Sequence, residues 1–351
     1  MPQPKDINPP SAVIYGCSGA ALTDAEKAFF AEVRPAGFIL FGRNCQDPEQ
    51  LAALVTALRD LLGRVDSPIL IDQEGGRVQR LGPPHWLDRP SAAIFKALAA
   101  RDMVLATEAA RLNAELIAAD LANLGINVDC APVLDVPVAG AHEIIGDRAY
   151  GDDPDTVAAL GLVVCEGFLS RGVVPVIKHI PGHGRAVADS HLELPVVDAA
   201  AGDLSAFDFS PFQALQHMPW AMTAHVVYSA LDTDYPATTS ATVIKDTIRG
   251  AIGFDGVLVS DDIGMKALGG PFADRAAQSL AAGCDLVLHC SGEMMEMEDV
   301  AKGLRPLTSE ASARLVRGQS MLGGGGDWDQ EAAQVRLDEI LTGDFGSGGS
   351  R

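Results

Sequence analysis

The chain has 351 residues, 48% of them hydrophobic, which is enough for two average domains or one large α/β barrel with a sizeable core. Acidic side chains outnumber basic ones by 47 to 26, a net charge of −21, so most of the surface repels nucleic acid and anionic lipid, and neither is an expected partner. The six cysteines are scattered without a CxxC pair, a pattern of buried free thiols rather than of disulfides or a zinc site.

The first residues, MPQPKDINPP, lack a charged-then-apolar leader pattern, and no apolar stretch is long enough to span a membrane; the expectation is a cytoplasmic monomer. Short apolar runs then alternate with helical patterns. The runs expected to be strands are Ala12–Tyr15, Gly37–Phe41, Ile69–Asp72, Asn127–Ala131, Val174–Lys178, Trp220–His225, Val257–Ser260 and Asp285–His289. Between the second and third, Asp47 can cap a helix that Pro48 opens, Leu51, Leu54, Val55 and Leu58 share a face, and Gly63 ends it. Asp153-Pro154 starts another helix with Val157, Leu160 and Val164 inward. Ser240 caps a third carrying Val243, Ile244, Thr247 and Ile248 before Gly250, and a last amphipathic helix lies near Gln330–Leu341. Strand–helix alternation implies parallel strands with right-handed crossovers. Eight such units nearly fill the chain and favour a closed (β/α)8 barrel over residues 1–345, with a doubly wound sheet as the alternative. Residues 346–351, GSGGSR, read as a disordered tail.

In such a barrel the chemistry belongs at the strand ends. The fifth run stops at Lys178-His179, and Pro181, Gly182 and Gly184 then forbid a regular helix in a loop that carries His183, Asp189, Ser190 and His191. The third run delivers Asp72, followed by Glu74, Arg77 and Arg80; Asp135 and Arg148 follow the fourth, His225 ends the sixth, and Ser260-Asp261-Asp262 ends the seventh. Asp72 and Asp261 are expected to face each other across the mouth, because a carboxylate at the end of a buried run is expensive without a role or a partner. Plainer assignments also exist: Asp262 as the cap of the next helix, Arg77 as the partner of Glu74, His225 as a satisfied pocket-lining histidine, and Asp135 as a loop-organising carboxylate.

Three segments together resemble glycoside hydrolase family three: Lys178-His179-Ile180-Pro181-Gly182-His183-Gly184 with Asp189-Ser190-His191, Asp72-Gln73-Glu74-Gly75-Gly76-Arg77-Val78, and Ser260-Asp261-Asp262 with Met265. More narrowly they resemble its bacterial β-N-acetylglucosaminidases (β-hexosaminidases) of peptidoglycan recycling. The resemblance implies a retaining exo-β-N-acetylglucosaminidase that releases GlcNAc from GlcNAc-1,6-anhydro-MurNAc, with or without peptide. It implies Asp261 as nucleophile, His191 as acid/base, Asp189 as the group that orients it, and Asp72, Arg80, Arg148, Lys178 and His179 as sugar-binding positions. Ile180 departs from the aromatic residue common at its position, a change expected to affect packing only. Retaining hydrolysis needs a carboxylate on one face of the sugar and a proton donor on the other, a role imidazole can take.

No cofactor or metal is expected. A competing reading is a metal-dependent hydrolase on His179, His183, Asp189 and His191; Pro181 and Gly182 argue against it, since they keep His179 and His183 off one helical face, and metal analysis of the purified protein discriminates the two. A non-catalytic carbohydrate-binding barrel would not need both Asp261 and the Asp189–His191 pair. A family-three β-glucosidase or β-xylosidase fits less well with the His191 motif. Gly182 and Gly184 are expected to be hinges that let the loop close over bound sugar.

Overall fold

The apolar runs form the strands of a closed, all-parallel barrel. A computed structural model describes residues 9–343 except 141, 187, 189, 191–192, 324–325 and 327. In chain order the barrel strands are β1 (Ser11–Gly16), β2 (Pro35–Leu40), β3 (Ile69–Ile71), β4 (Val128–Asp129), β5 (Val174–Ile180), β6 (Trp220–Thr223), β7 (Val257–Asp262) and β8 (Leu286–His289). Each strand pairs with its sequence neighbours, and Val13 opposite Val287 closes β1 on β8. All eight expected runs are strands, and the doubly wound alternative is excluded by that closure. A short parallel ladder, Val196–Val197 with Val227–Tyr228, was not anticipated; two residues per strand leave no periodicity to read.

The helices are built by their ends. Asp47 accepts a hydrogen bond from the Gln50 amide, Pro48 opens α2 (Pro48–Leu62), and Gly63 ends it in the left-handed region at φ 64°. Leu51, Leu54, Val55 and Leu58 are buried against the barrel, as their spacing requires. Asp153 caps the helix Pro154–Ser170 in the same way, through the Thr156 amide. The Ser240 segment differs from expectation. Ser240 Oγ does accept from the Val243 amide, and Val243, Ile244, Thr247 and Ile248 are buried, but the helix is wound as a π-helix and runs through Gly250 to Ala251. The Ile252 amide reaches back five residues to the Thr247 carbonyl, so the wider winding carries the chain past the glycine.

Buried Arg89, in the loop after β3, ties two outer helices together. It donates to Asp120 (2.7 Å) on the helix Met103–Asn123 and to Gln334 (2.8 Å) on the last helix, Gln330–Thr342. Among the described residues no helix is long and apolar enough to cross a membrane. Leu58 is fully buried on the inner face of α2. Leu58→Ala should lower stability by about 2–5 kcal/mol, read as a shift of the urea midpoint at constant slope.

Candidate active site

All the candidate side chains with a described position come from the C-terminal ends of the strands and the loops that follow, so parallel closure alone gathers them at one mouth. Their centre is Lys178 on β5. Its ammonium, nearly inaccessible, lies 3.0 Å from Asp72 Oδ1 and 2.7 Å from Glu74 Oε1. Arg80 reaches the other oxygen of Asp72 at 3.1 Å. Arg148 forks onto Glu74, Nε to Oε2 at 2.8 Å and Nη2 to Oε1 at 2.7 Å. Burial pushes the Asp72 and Glu74 carboxyls up, but the adjacent cations outweigh it and both are held below the usual carboxylate range. Lys178 is held above its ordinary value because the attraction of Glu74 and Asp72 exceeds its desolvation. Four of the five residues the resemblance marks as sugar-binding thus share one network, with Glu74 at its heart. The expected Arg77–Glu74 pair is absent: Arg77 instead meets Asp147 at 2.6 Å, because the loop carrying Arg148 takes the Glu74 carboxylate first.

Beneath this network lies Asp129, the last residue of β4 and fully buried. Its Oδ1 accepts from the Gln73 amide at 3.0 Å, while Oδ2 has no hydrogen-bond partner among the described residues. Burial is the main cause that pushes its carboxyl up to about 8; the Gln73 amide and Lys178 pull it down, and Asp72 and Glu74 push it further up. Asp129 is therefore neutral at pH 7. Sequence reading passed over it, since a strand-terminal aspartate in an apolar run looks like any other strand end.

Asp135 does more than organise its own loop. Oδ2 lies 2.6 Å from His179 Nδ1, and Oδ1 accepts from the His179 amide at 3.2 Å and the His183 amide at 2.6 Å. Since a carboxylate only accepts, His179 Nδ1 carries the proton and its Nε2 is left for other contacts. The His183 ring lies edge-on to His179, with centroids 5.7 Å apart, and its Nε2 is 3.3 Å from Ser190 Oγ. Burial, against the pull of Asp135, pushes His183 down to about 4, so this ring is neutral.

The glycines of this loop sit where the backbone packs closely against neighbouring segments. A Cβ on Gly184 would stand 2.0 Å from the Val136 carbonyl oxygen, and one on Gly182 (φ 134°) 3.0 Å from Asp208. The stem is further pinned by the Tyr228 hydroxyl donating to the Gly182 carbonyl (2.7 Å) and the His142 amide to the Ala186 carbonyl (2.9 Å). These glycines permit close approach of backbone. Asp189 and His191 lie outside the described residues.

On β7 the adjacent carboxylates part company, because successive side chains of a strand point to opposite faces. Asp261 is raised by burial, but His225 and His179 outweigh that, helped by the Asp262 amide at 2.8 Å, and its carboxyl is held below the ordinary value. Asp262 is pushed up to about 6, chiefly by burial. Its Oδ1 accepts from the Gly264 amide (2.9 Å) and the Cys290 amide (3.2 Å), stitching the β7 loop to the end of β8. It does not cap the next helix, which starts at Phe272 behind Pro271. His225 is satisfied at both nitrogens: Nε2 donates to the Asp262 carbonyl at 3.0 Å, which leaves Nδ1 to accept from Thr238 Oγ1 at 2.7 Å. Asp72 and Asp261 do share the mouth, and both raise the buried Cys130 thiol beyond what its burial does.

Residues 13–317 match the family described as the glycosyl hydrolase family 3 N terminal domain. The chain belongs to glycosyl hydrolase family 3. A beta-hexosaminidase of Alkalilimnicola ehrlichii is 39% identical to this family 3 chain over 283 residues, 80% of either sequence. Native NagZ from Neisseria gonorrhoeae superposes with a TM-score of 0.85 at 32% identity, covering 95% of this chain and 98% of that one. The same NagZ bound to N-trifluoroacetyl-D-glucosamine matches equally well, with a TM-score of 0.85, 32% identity, and 95% and 99% coverage.

The neutral Asp129 makes a pH-dependent prediction. The folded protein holds this proton up to about pH 8, whereas an unfolded aspartate releases it near 3.8. The folded state binds the extra proton across that window, so the contribution of Asp129 is full below 3.8 and is lost as pH rises to about 8. Relative to wild type, Asp129→Asn should therefore gain stability steadily between those limits and level off above them, measured by denaturant unfolding across pH. A difference that stays flat with pH would show that Asp129 is ionised in the folded state.

Proposed function

We propose that this chain is a retaining exo-β-N-acetylglucosaminidase that removes GlcNAc from cell-wall fragments, with GlcNAc-1,6-anhydro-MurNAc, bearing peptide or not, as its natural substrate. By family and by its relatives it is a glycoside hydrolase with β-N-acetylhexosaminidase activity. The observation that carries the finer reading is the contrast on β7: Asp261 is kept ionised among histidines, while Asp262 is tied to two amides and held nearer neutrality. An ionised, strand-mounted carboxylate at the barrel mouth is suited to attack the anomeric carbon and form a covalent glycosyl-enzyme.

Lys178, Arg80 and Arg148 present donors, and Asp72 acceptors, to the hydroxyls of a sugar, and their mutual ion pairs hold them in place before it arrives. His179, its Nδ1 occupied by Asp135, adds an Nε2 acceptor. His191 is assigned the proton transfer to the leaving oxygen, with Asp189 accepting its other ring proton and steadying the imidazolium. An imidazole donor is uncharged once it has given up its proton, so no anionic donor faces the leaving oxygen, which suits a substrate that carries the carboxylate of muramic acid. The choice of N-acetylglucosamine rests on the beta-hexosaminidase relatives and on the NagZ complex with an N-acylglucosamine.

A slow fluorinated N-acetylglucosaminide should add one sugar mass to the peptide holding Asp261; the mass on Asp262 or Asp72 would sink the assignment. Asp261→Ala should lose turnover with its melting transition intact. Aryl N-acetyl-β-glucosaminides should be cleaved faster than aryl β-glucosides, with or without chelator. The opposite preference would point to a β-glucosidase, and chelator sensitivity reversed by zinc or manganese to a metal hydrolase.

A further inference from the structure

His183 has no part in that mechanism, yet it is buried beside it and held at both its amide and its ring. Its amide is fixed by Asp135, its ring is buried against His179, and its Nε2 lies 3.3 Å from Ser190 Oγ. Ser190 is itself buried, and its carbonyl accepts from the Ala267 amide at 3.3 Å. Ala267 belongs to the loop after β7, five residues beyond Asp262. Ser190 is thus held from two sides, by the stem of the β5 loop through His183 and by the β7 loop through Ala267. In the chain it stands between Asp189 and His191.

We propose that the His183–Ser190 hydrogen bond is a latch that sets the depth of the proton donor, making His183 and Ser190 positioning residues for leaving-group protonation. Consecutive Cα atoms are about 3.8 Å apart, so fixing the Ser190 hydroxyl fixes the chain at the midpoint of the assigned acid and its orienting carboxylate. Asp135 then governs both halves of the reaction. One oxygen holds His179 at the sugar, and the other holds the residue from which the latch is thrown. His183 does not itself serve as the acid here, because its Nε2 is already engaged and its ring is neutral. The inference rests on His191 being the acid.

A latch and a mere packing contact differ in which substrate they affect. A nitrophenyl aglycone leaves without a proton, whereas an alkyl aglycone needs one. For methyl N-acetyl-β-glucosaminide, Ser190→Ala and His183→Asn should each lower kcat about three- to tenfold, the range that one neutral hydrogen bond supports, with KM unmoved. Cleavage of the nitrophenyl glycoside, followed in its first step, should keep its rate. The glutamine amide nitrogen reaches roughly where Nε2 stands, and that of asparagine where Nδ1 stands, so His183→Gln should retain more of the methyl-glycoside rate than His183→Asn.

Equal losses on both substrates, no loss on either, or the reverse order of the two His183 variants would overturn the latch. His191→Ala run alongside separates the two claims. If it shows the leaving-group selectivity and Ser190→Ala does not, the latch alone fails. If His191→Ala shows none, the assignment of the acid fails and the latch with it.

Discussion

The buried ammonium of Lys178 is the constraint around which the mouth of this barrel is arranged. Two carboxylates from one loop, Asp72 and Glu74, close on it, and each takes an arginine as well. Lys178 is the strongest influence that lowers both carboxyls against burial, and the two carboxylates in turn hold the lysine above its ordinary value. The loop after β3, the loop after β4 and the end of β5 are therefore held together by charge as well as by main-chain bonds such as Leu134 N–H to the Lys178 carbonyl. The same arrangement explains Asp129. With two carboxylates already sharing one lysine, a third in the layer below is left without a cation of its own and retains its proton.

Next to this charged floor stands a second carboxylate hub. Among the described residues Asp135 makes no ion pair with an arginine or lysine; its acceptors are filled by two amides and a ring N–H. That difference matters chemically. An ion pair holds charge in place but tolerates some rotation, whereas three directed hydrogen bonds specify the tautomer of His179 and the path of the chain through His183. The barrel thus combines a charged cluster suited to hydroxyl groups with a directional one suited to placing rings. The Asp261 carboxyl feels the charge of the histidines and that of Asp262 is held by the Gly264 and Cys290 amides, and the two shift in opposite directions from one strand end.

Much of this was legible beforehand. Each barrel strand is an apolar run flanked by turn residues, and the Asp47-Pro48 and Asp153-Pro154 helix starts are local chemistry, complete within four residues. The motif segments place Asp72, Lys178, His179 and Asp261 at strand ends, and closure puts them at one mouth. Where reading failed, the determining partner was distant. Glu74 looks like the neighbour of Arg77 but pairs with Arg148 and Lys178, which lie 74 and 104 positions further on. That Gly184 packs against the Val136 carbonyl, too closely for a side chain, is likewise set by a distant segment. The Ser240 helix passes its glycine because a π-turn, invisible to a period of 3.6, carries it through.

What the sequence by itself determined was the alternation of strand and helix, the closed barrel that this alternation allows, and the inventory of polar residues at strand ends. Those follow from the burial period and from caps, which act over one or two turns of chain. Only the tertiary structure decided which cation each carboxylate holds, that Asp129 is neutral, and which ring nitrogen of His179 and His225 carries the proton. Those depend on distances between segments separated along the chain, and on the dielectric that closure creates around them. No local pattern encodes either quantity, because both exist only once the barrel has closed.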